Sequence, residues 1–325
     1  MGTSFDLNRD GVTQSLLATF LECRQKANLK LERWVPRRTS MPLRYGTLAH
    51  SVLEAFQKIQ IKKPAFVPSA AQVKVEVAKV GAAYRKEHGS RWGAETEEEF
   101  EHNLAQIETI VPEYFKFWSK KPLQWIEVEE VFRIPFCYDP LMKGDVPSKT
   151  TWLTGRYDGI FRRQGKLWLF DHKNKSRIDE DQFGSVLLRD FQINFYLLAV
   201  WKLTKTIPAG FVYNVIRRPS LTWTKKESLP EHMVRLRKHI AEDPSHYFKR
   251  YEVIVHKDDL LQFEQELKEV ISDFADWLKA KRPVRMFGQP CVTKYGLCDF
   301  VPMCYEDETG PFVRRPVLFS ELEDR

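Results

Sequence analysis

The sequence predicts an α/β fold in which helices pack against a central mixed β-sheet. The main observation is a change of pattern: apolar residues recur at helical spacing up to residue 118, and from residue 125 they alternate as in strands. A second observation is the order of the core elements, which runs helix, strand, strand, strand, helix, strand. This order is typical of helices packed on a mixed sheet.

Four helices are predicted before the first strand. In the first of them, Leu16, Leu17 and Phe20 share one face, as expected of a helix that packs on a core. The fourth carries acidic residues at 97–99, which suit the positive end of a helix dipole. The predicted helices are residues 13–31, 46–60, 70–88 and 96–118.

The sheet is predicted to contain a β-hairpin. Arg163, Gln164 and Gly165 separate two stretches rich in β-branched and aromatic residues, and so short a turn joins antiparallel strands. The predicted strands are residues 125–136, 151–162, 166–172, 209–216 and 251–255, and the later helices are residues 184–203 and 257–280.

Length and composition allow a substantial core, because 43% of the 325 residues are hydrophobic and 13% are aromatic. We expect one domain over residues 1–325, in which residues 61–120 form a helical insertion. No apolar run approaches the roughly 20 residues of a membrane-spanning helix, and residues 1–10 lack a signal-peptide pattern. We therefore expect a cytoplasmic protein without a membrane partner.

The charge balance favours a polyanionic partner, since the net charge is +7 and the pI about 9.0. Arg217 and Arg218 follow a predicted strand and are candidates for contacts with DNA phosphates, and Trp223 is a candidate for stacking on a base. A solvated surface loop explains the same three residues equally well.

Two carboxylates and a lysine make the most informative stretch, residues 155–173. Asp171 ends the second hairpin strand, and Lys173 lies two residues later, so both side chains point to the same face while His172 points to the other. The hairpin lets Asp158 approach Asp171 from the neighbouring strand. An ordinary hairpin with charged surface residues is the alternative interpretation.

Phosphodiester hydrolysis needs this combination of groups. Carboxylates hold one or two divalent cations, and the cations stabilise charge that grows on the phosphate in the transition state. The lysine can orient or deprotonate the attacking water, or stabilise the transition state itself. The three residues therefore predict a metal-dependent hydrolase of phosphodiesters.

The hairpin resembles the core of the PD-(D/E)xK nuclease superfamily, with Asp158, Asp171 and Lys173 at the positions of its motif. The resemblance implies a restriction-endonuclease-like core, catalysis by these three residues, and Mn²⁺ or Mg²⁺ as cofactor. One departure is that Asp171 stands where glutamate is commoner.

Two further motifs resemble the RecB-like branch of this superfamily. GTLAH, at residues 46–50, is similar to its G-x-x-x-H helix, which implies a metal ligand role for His50 beside Asp158 and Asp171. An imidazole ligand favours Mn²⁺ over Mg²⁺ more than an all-oxygen site does. Gln192 and Tyr196 match the Q-x-x-x-Y helix, which implies that they hold the lysine and contact DNA, although plain helix packing also explains them.

The roles of three carboxylates outside the motifs are left open. Glu54 lies one turn after His50 and is as consistent with an exposed position as with a place near the metal. Glu129 and Glu130 lie on the strand before the hairpin, and neither is assigned to the site.

Three of the five cysteines lie close together near the C-terminus, as Cys291-x6-Cys298-x5-Cys304. Clustered cysteines in a reducing compartment indicate metal, but three ligands leave a metal one short. Cys23 lies near the opposite end of the chain, and Cys137 is left over as a buried thiol. Four thiolates suit zinc or an iron–sulfur cluster. Zinc sites usually contain a short Cys-x2-4-Cys knuckle, which is absent here, so the spacing favours iron–sulfur.

The cysteines also resemble those of the iron-staple subgroup of RecB-like nucleases. This resemblance implies that residues 285–310 join Cys23 through a 4Fe-4S cluster, with Cys23, Cys291, Cys298 and Cys304 as ligands.

Taken together, the resemblance implies a metal-dependent DNA exonuclease that acts on single strands or DNA ends, in recombination, repair or the DNA processing of phages and mobile elements. Its partners would be DNA and a helicase or recombination protein. A DNA endonuclease and a non-catalytic iron–sulfur DNA-binding subunit are the alternatives. The sequence leaves the oligomeric state open.

Overall fold

A five-stranded mixed sheet forms the centre of the computed structural model, which describes residues 5–37, 41–89, 94–139, 149–175, 186–224, 226–280, 282–293, 296–319 and 322. The strands are β1 Trp34–Pro36, β2 Gln124–Cys137, β3 Thr150–Arg163, β4 Lys166–Lys175, β5 Gly210–Arg217, β6 Phe248–Ile254, β7 Val292–Thr293, β8 Gly296–Leu297 and β9 Phe312–Arg314. The central sheet has the order β2-β3-β4-β5-β6, and its β4–β5 pair is parallel while the other pairs are antiparallel. The prediction of a central mixed sheet is confirmed.

Helices cover both faces of this sheet. The helices of the described residues are α1 Leu7–Asp10, α2 Gln14–Glu22, α3 Arg24–Leu31, α4 Met41–Lys62, α5 Ala70–His88, α6 Ala94–Trp118, α7 Phe191–Thr204, α8 Leu229–Glu242, α9 Pro244–Tyr247, α10 Lys257–Ala280 and α11 Val301–Tyr305. Among the described residues, no helix combines the length and the apolarity that crossing a membrane requires.

One face of the sheet packs against α2, α7 and α10. Phe20, Phe195 and Phe274 are buried there against the residues of β4 and β5 that face these helices. The other face packs against α4, α6 and α8 in a second core that contains Tyr45 and Tyr114. The predicted insertion, residues 61–120, thus contributes α5 and α6 to the second layer of helices.

The hairpin between β3 and β4 closes through a two-residue turn. Arg163 pairs with Lys166, and the intervening Gln164 and Gly165 have φ angles of 51° and 76°. Two successive residues in the left-handed region match the right-handed twist of the flanking strands, which is why glycine is favoured at the second position.

Two predicted helices differ clearly from the structure. The helix predicted over 13–31 is broken at Cys23, whose extended backbone (φ −160°, ψ 115°) separates α2 from α3. The helix predicted from residue 184 begins at Phe191, because the Asp190 carboxylate accepts the backbone N–H of Ile193 at 3.1 Å and caps it. Residues 176–185 lie outside the described residues.

Helix α8 was not predicted, since its segment was interpreted only as a charged region. The sequence does contain residues typical of a helix N-terminus at this point. Ser228 and Glu231 form a reciprocal capping box, and Pro230 occupies the first turn.

The two ends of the chain meet through backbone pairing. Strands β1 and β9 are antiparallel partners, Arg37 donates its N–H to Pro311 O at 2.8 Å, and Arg315 donates to Arg33 O at 2.9 Å. This contact brings the C-terminal segment beside α3.

Candidate active site

Asp158 and Asp171 meet across the hairpin. In the register of the hairpin, Gly159 is paired with Phe170. The next residues away from the turn are therefore Asp158 on β3 and Asp171 on β4. The backbone N–H of His172 donates to Asp158 Oδ2 at 2.6 Å. A backbone donor therefore holds the first carboxylate against the strand that carries the second.

His50, Glu129 and Asp158 form a group of three metal donors. His50 Nδ1 lies 3.7 Å from Asp158 Oδ2 and 3.9 Å from Glu129 Oε1, and one donor atom from each residue lies within 4.8 Å of the others. One imidazole and two carboxylates suit Mn²⁺, Mg²⁺ and related divalent ions. The residues present therefore fit a divalent cation.

Glu129 is the donor that the sequence analysis did not assign. Its backbone is left-handed, with φ 54°, which is uncommon for a residue other than glycine, asparagine or aspartate and marks local strain. Oε2 binds Arg156 Nε at 3.1 Å, while Oε1 faces His50. The sequence signal was weak, because two adjacent glutamates on a strand do not show which one points into the site.

Asp171 lies beside this group but interacts with Lys173. The Lys173 ammonium donates to Asp171 Oδ1 at 2.9 Å and to Gln192 Oε1 at 3.1 Å. The second oxygen, Oδ2, is 2.8 Å from the same nitrogen, so the ammonium contacts both oxygens of this buried carboxylate. Each carboxylate oxygen has a further lone pair to offer, so Asp171 stays a candidate ligand although it is outside the group of three donors.

Helix α7 supplies the other two predicted residues. Gln192 lies in its first turn and is hydrogen-bonded to the hydroxyl of Tyr196 one turn later. Tyr196 is 7% exposed and packs on Phe132. The structure thus brings Gln192 and Tyr196 to Lys173, in a chain of polar contacts that ends at Asp171.

Burial is the largest single influence on the pKa of each member of this pair. It raises the pKa of Asp171 to about 6, although the ammonium of Lys173 acts in the opposite sense. For Lys173, burial lowers the pKa, but the carboxylates of Asp171 and Asp158 outweigh it, and the net pKa is raised. Lys173 is therefore a cation at neutral pH, suited to orienting water or stabilising negative charge.

The four cysteines predicted as ligands line one cavity. Cys23 lies between α2 and α3, Cys291 and Cys298 flank the β7–β8 hairpin, and Cys304 lies in α11. Burial raises the pKa of the Cys304 thiol, and the neighbouring Cys298, Cys23 and Cys291 raise it further. Within the described residues, no three of these sulfurs all lie within 4.8 Å of one another, as the donor atoms of His50, Glu129 and Asp158 do.

The predicted DNA contacts lie at the carboxyl end of β5. Arg218 donates its backbone N–H to Lys175 O at 2.9 Å, and its guanidinium lies 5.2 Å from the centre of the Tyr45 ring. Arg217 is oriented by the imidazole of His246, at 2.7 Å from Nε2. Both arginines therefore lie on the edge of the sheet where β4 ends, beyond Lys173.

Two other candidates have partners inside the protein. Trp223 stacks on His102, with ring centres 5.4 Å apart, and its indole N–H donates to Glu227 O at 3.0 Å. Glu54 forms an ion pair with Lys58, one turn later on α4, at 2.7 Å.

Comparisons with known proteins give one family match for this chain. The family model of the PD-(D/E)XK nuclease superfamily matches residues 12–305. No curated protein matches. The solved structure described as "Crystal structure of SSO0001" is 13% identical, covers 69% of this chain and 80% of its own, and has a TM-score of 0.28, a likeness too low to carry an argument.

The geometry predicts that Glu129 contributes to cation binding. We expect Glu129→Gln to weaken Mn²⁺ binding at least roughly ten-fold, because an amide replaces an anionic donor beside His50. The measurement is a calorimetric Mn²⁺ titration. Glu130→Gln is the matched control, since Glu130 is exposed and absent from the donor group. Equal losses in the two variants would remove Glu129 from the site.

A pH dependence follows from the burial of Asp171. The carboxyl must lose its proton to bind a cation, and its pKa is raised to about 6. Mn²⁺ affinity should therefore be nearly constant above pH 7 and fall below pH 6, by up to about ten-fold per pH unit for each ligand that must lose a proton, here Asp171 and the imidazole of His50. Calorimetric titrations between pH 5 and pH 8 measure this slope. An affinity independent of pH over this range would mean that Asp171 is not a ligand.

Proposed function

Because the chain belongs to the PD-(D/E)XK nuclease superfamily, we propose that it is a metal-dependent DNA exonuclease of the RecB-like branch. The observation that carries this proposal is the convergence of His50, Glu129 and Asp158 beside the Asp171–Lys173 pair. The G-x-x-x-H and Q-x-x-x-Y patterns, with His50, Gln192 and Tyr196 near the same point, support the branch.

Each residue has a role that follows from its contacts. His50, Glu129 and Asp158, together with Asp171, would hold Mn²⁺ or Mg²⁺. The cation would supply positive charge to the scissile phosphate.

Lys173 is a cation held by Asp171 and Gln192, so it orients the attacking water or stabilises the phosphate as negative charge grows. Tyr196 holds Gln192 and, through it, the ammonium.

DNA is the substrate that the charge distribution favours. The net charge of +7 attracts a polyanion, and Arg217 and Arg218 lie at the same edge of the sheet as Lys173. In an extended strand, residues two apart are separated by about 7 Å. Arg217 pairs with Lys175, two residues beyond Lys173, so these arginines suit a phosphate one or two nucleotides from the scissile one.

Lys173 tests the catalytic assignment. We expect Lys173→Met to lower kcat on DNA by at least roughly a hundred-fold, because the ammonium near the scissile phosphate is lost. Release of nucleotides from end-labelled single-stranded DNA with Mn²⁺ measures this. Lys166→Met is the control, since Lys166 is exposed at the far end of the same strand. Unchanged cleavage by Lys173→Met would refute the assignment.

Circular DNA separates the exonuclease from its alternative. A covalently closed single-stranded circle should stay intact under conditions in which the linear form of the same sequence is degraded to mononucleotides or short products. Cutting of the circle would instead identify an endonuclease. No cleavage of either substrate by the wild-type protein with Mn²⁺ would leave the non-catalytic DNA-binding interpretation.

We further propose a 4Fe-4S cluster at Cys23, Cys291, Cys298 and Cys304. The support is that residues far apart in the sequence line one cavity with their four thiols. The sequence has no short Cys-x2-4-Cys knuckle of the kind that zinc sites usually contain, which favours a cluster over a single zinc ion. Its role would be structural, since it joins α2 and α3 to the C-terminal segment.

Two cysteine variants test the cluster. Cys23→Ser should abolish the brown colour and the absorbance near about 400 nm of anaerobically purified protein, with loss of bound iron and a lower Tm. Cys137→Ser should keep all of these properties, because Cys137 ends β2 and does not line the cavity. Bound zinc in place of iron, or equal iron content in both variants, would contradict the proposal.

A further inference from the structure

Behind the candidate site, His172 belongs to a buried polar network. It lies between Asp171 and Lys173 on β4, with its ring on the opposite side of the strand. Its Nε2 is 2.7 Å from the amide nitrogen of Gln57, and its Nδ1 is 2.9 Å from Nδ2 of Asn214. His172, Gln57 and Asn214 are each at least 98% buried.

The partners of Asn214 fix the direction of its amide. Arg250 Nε donates to Asn214 Oδ1 at 3.1 Å, and the Tyr114 hydroxyl donates to the same oxygen at 3.2 Å. A guanidinium has no acceptor, so the atom facing Arg250 must be the oxygen. Nδ2 of Asn214 therefore donates to His172 Nδ1.

The tautomer of His172 follows from this direction. Because Nδ1 accepts a hydrogen bond, it carries a lone pair, and the ring proton of the neutral imidazole is on Nε2. Nε2–H is a donor, so Gln57 must present its oxygen there, with the two ends of its amide exchanged. The network then has a donor opposite an acceptor at every contact.

The network joins three elements that carry site residues. Gln57 lies two helical turns after His50 on α4, on the same side of the helix. The backbone N–H of His172 binds Asp158 on β3, and the His172 ring lies 5.7 Å from the His50 ring. Displacing the imidazole would move α4 or β4, and with them the donors that face the metal position.

We propose that His172, in its neutral Nε2–H form, is a positioning residue that ties α4 to β4 and so sets the distance between His50 and Asp158. His172 does not touch the substrate and acts through His50 and Asp158. The proposal rests on the proposed function only where it concerns cleavage, because the tautomer and cation binding can be measured without DNA.

Gln57→Leu tests the positioning role, with Gln60→Leu as its matched control. Gln60 lies one turn later on α4 and also makes side-chain hydrogen bonds, to Phe66 O at 2.8 Å and from Trp125 Nε1 at 3.2 Å, but it is outside the network.

We expect Gln57→Leu to bind Mn²⁺ roughly ten-fold more weakly than Gln60→Leu, at a similar Tm. If the protein cleaves DNA, kcat should fall while KM stays nearly constant. Equal Mn²⁺ affinities would overturn the proposal.

The tautomer is tested on the wild-type protein, so this result does not depend on any variant folding. In ¹⁵N–¹H spectra correlated to the imidazole carbons, His172 should show a protonated Nε2 and an unprotonated Nδ1. A proton on Nδ1, in the opposite tautomer or in the imidazolium, would overturn the assignment. Failure of the wild type to cleave DNA would refute the proposed function and leave both of these measurements valid.

Discussion

The structure depends on holding several carboxylates together where little water reaches them. The side chains of Glu129, Asp158 and Asp171 are 8%, 14% and 3% exposed, so their mutual repulsion is weakly screened. Arg156 and Lys173 offset part of this repulsion through direct ion pairs. A divalent cation would offset more, which is why a site of this kind binds metal and why its geometry must be held by the surrounding fold.

The fold meets this requirement with backbone and buried side chains. The peptide N–H of His172 holds Asp158, and the reverse side of the same residue joins the Gln57–Asn214 network. Fully hydrogen-bonded buried groups oppose small displacements, because each lost bond leaves a polar atom without water to replace its partner. One residue of β4 thus joins the buried network behind the candidate site, while its neighbours, Asp171 and Lys173, face that site.

The sequence predicted the hairpin, the mixed sheet and the Asp158–Asp171–Lys173 group, because each depends on local alternation and a short turn. It missed Glu129, whose orientation depends on a left-handed backbone that no residue-type preference indicates for glutamate. It also missed the break at Cys23, because the extended residue that separates α2 from α3 is not accompanied by the glycine or proline that usually marks the end of a helix. The His172 network joins residues up to 157 positions apart, from Gln57 to Asn214, and no sequence pattern links them.

The elements that carry Cys23 and Gln192 pack on the same apolar core. Cys23 ends α2, whose Phe20 packs on Phe274 and Trp277 of α10 with ring centres 5.2 and 5.3 Å apart. The same core holds α7, which carries Gln192.

This apolar packing does not require the cluster, and the β1–β9 pairing also joins the ends without metal. A cluster there would therefore add to the free energy of unfolding more than to the geometry of the site. Its loss should reduce the lifetime of the folded protein before it alters the distance between His50 and Asp158.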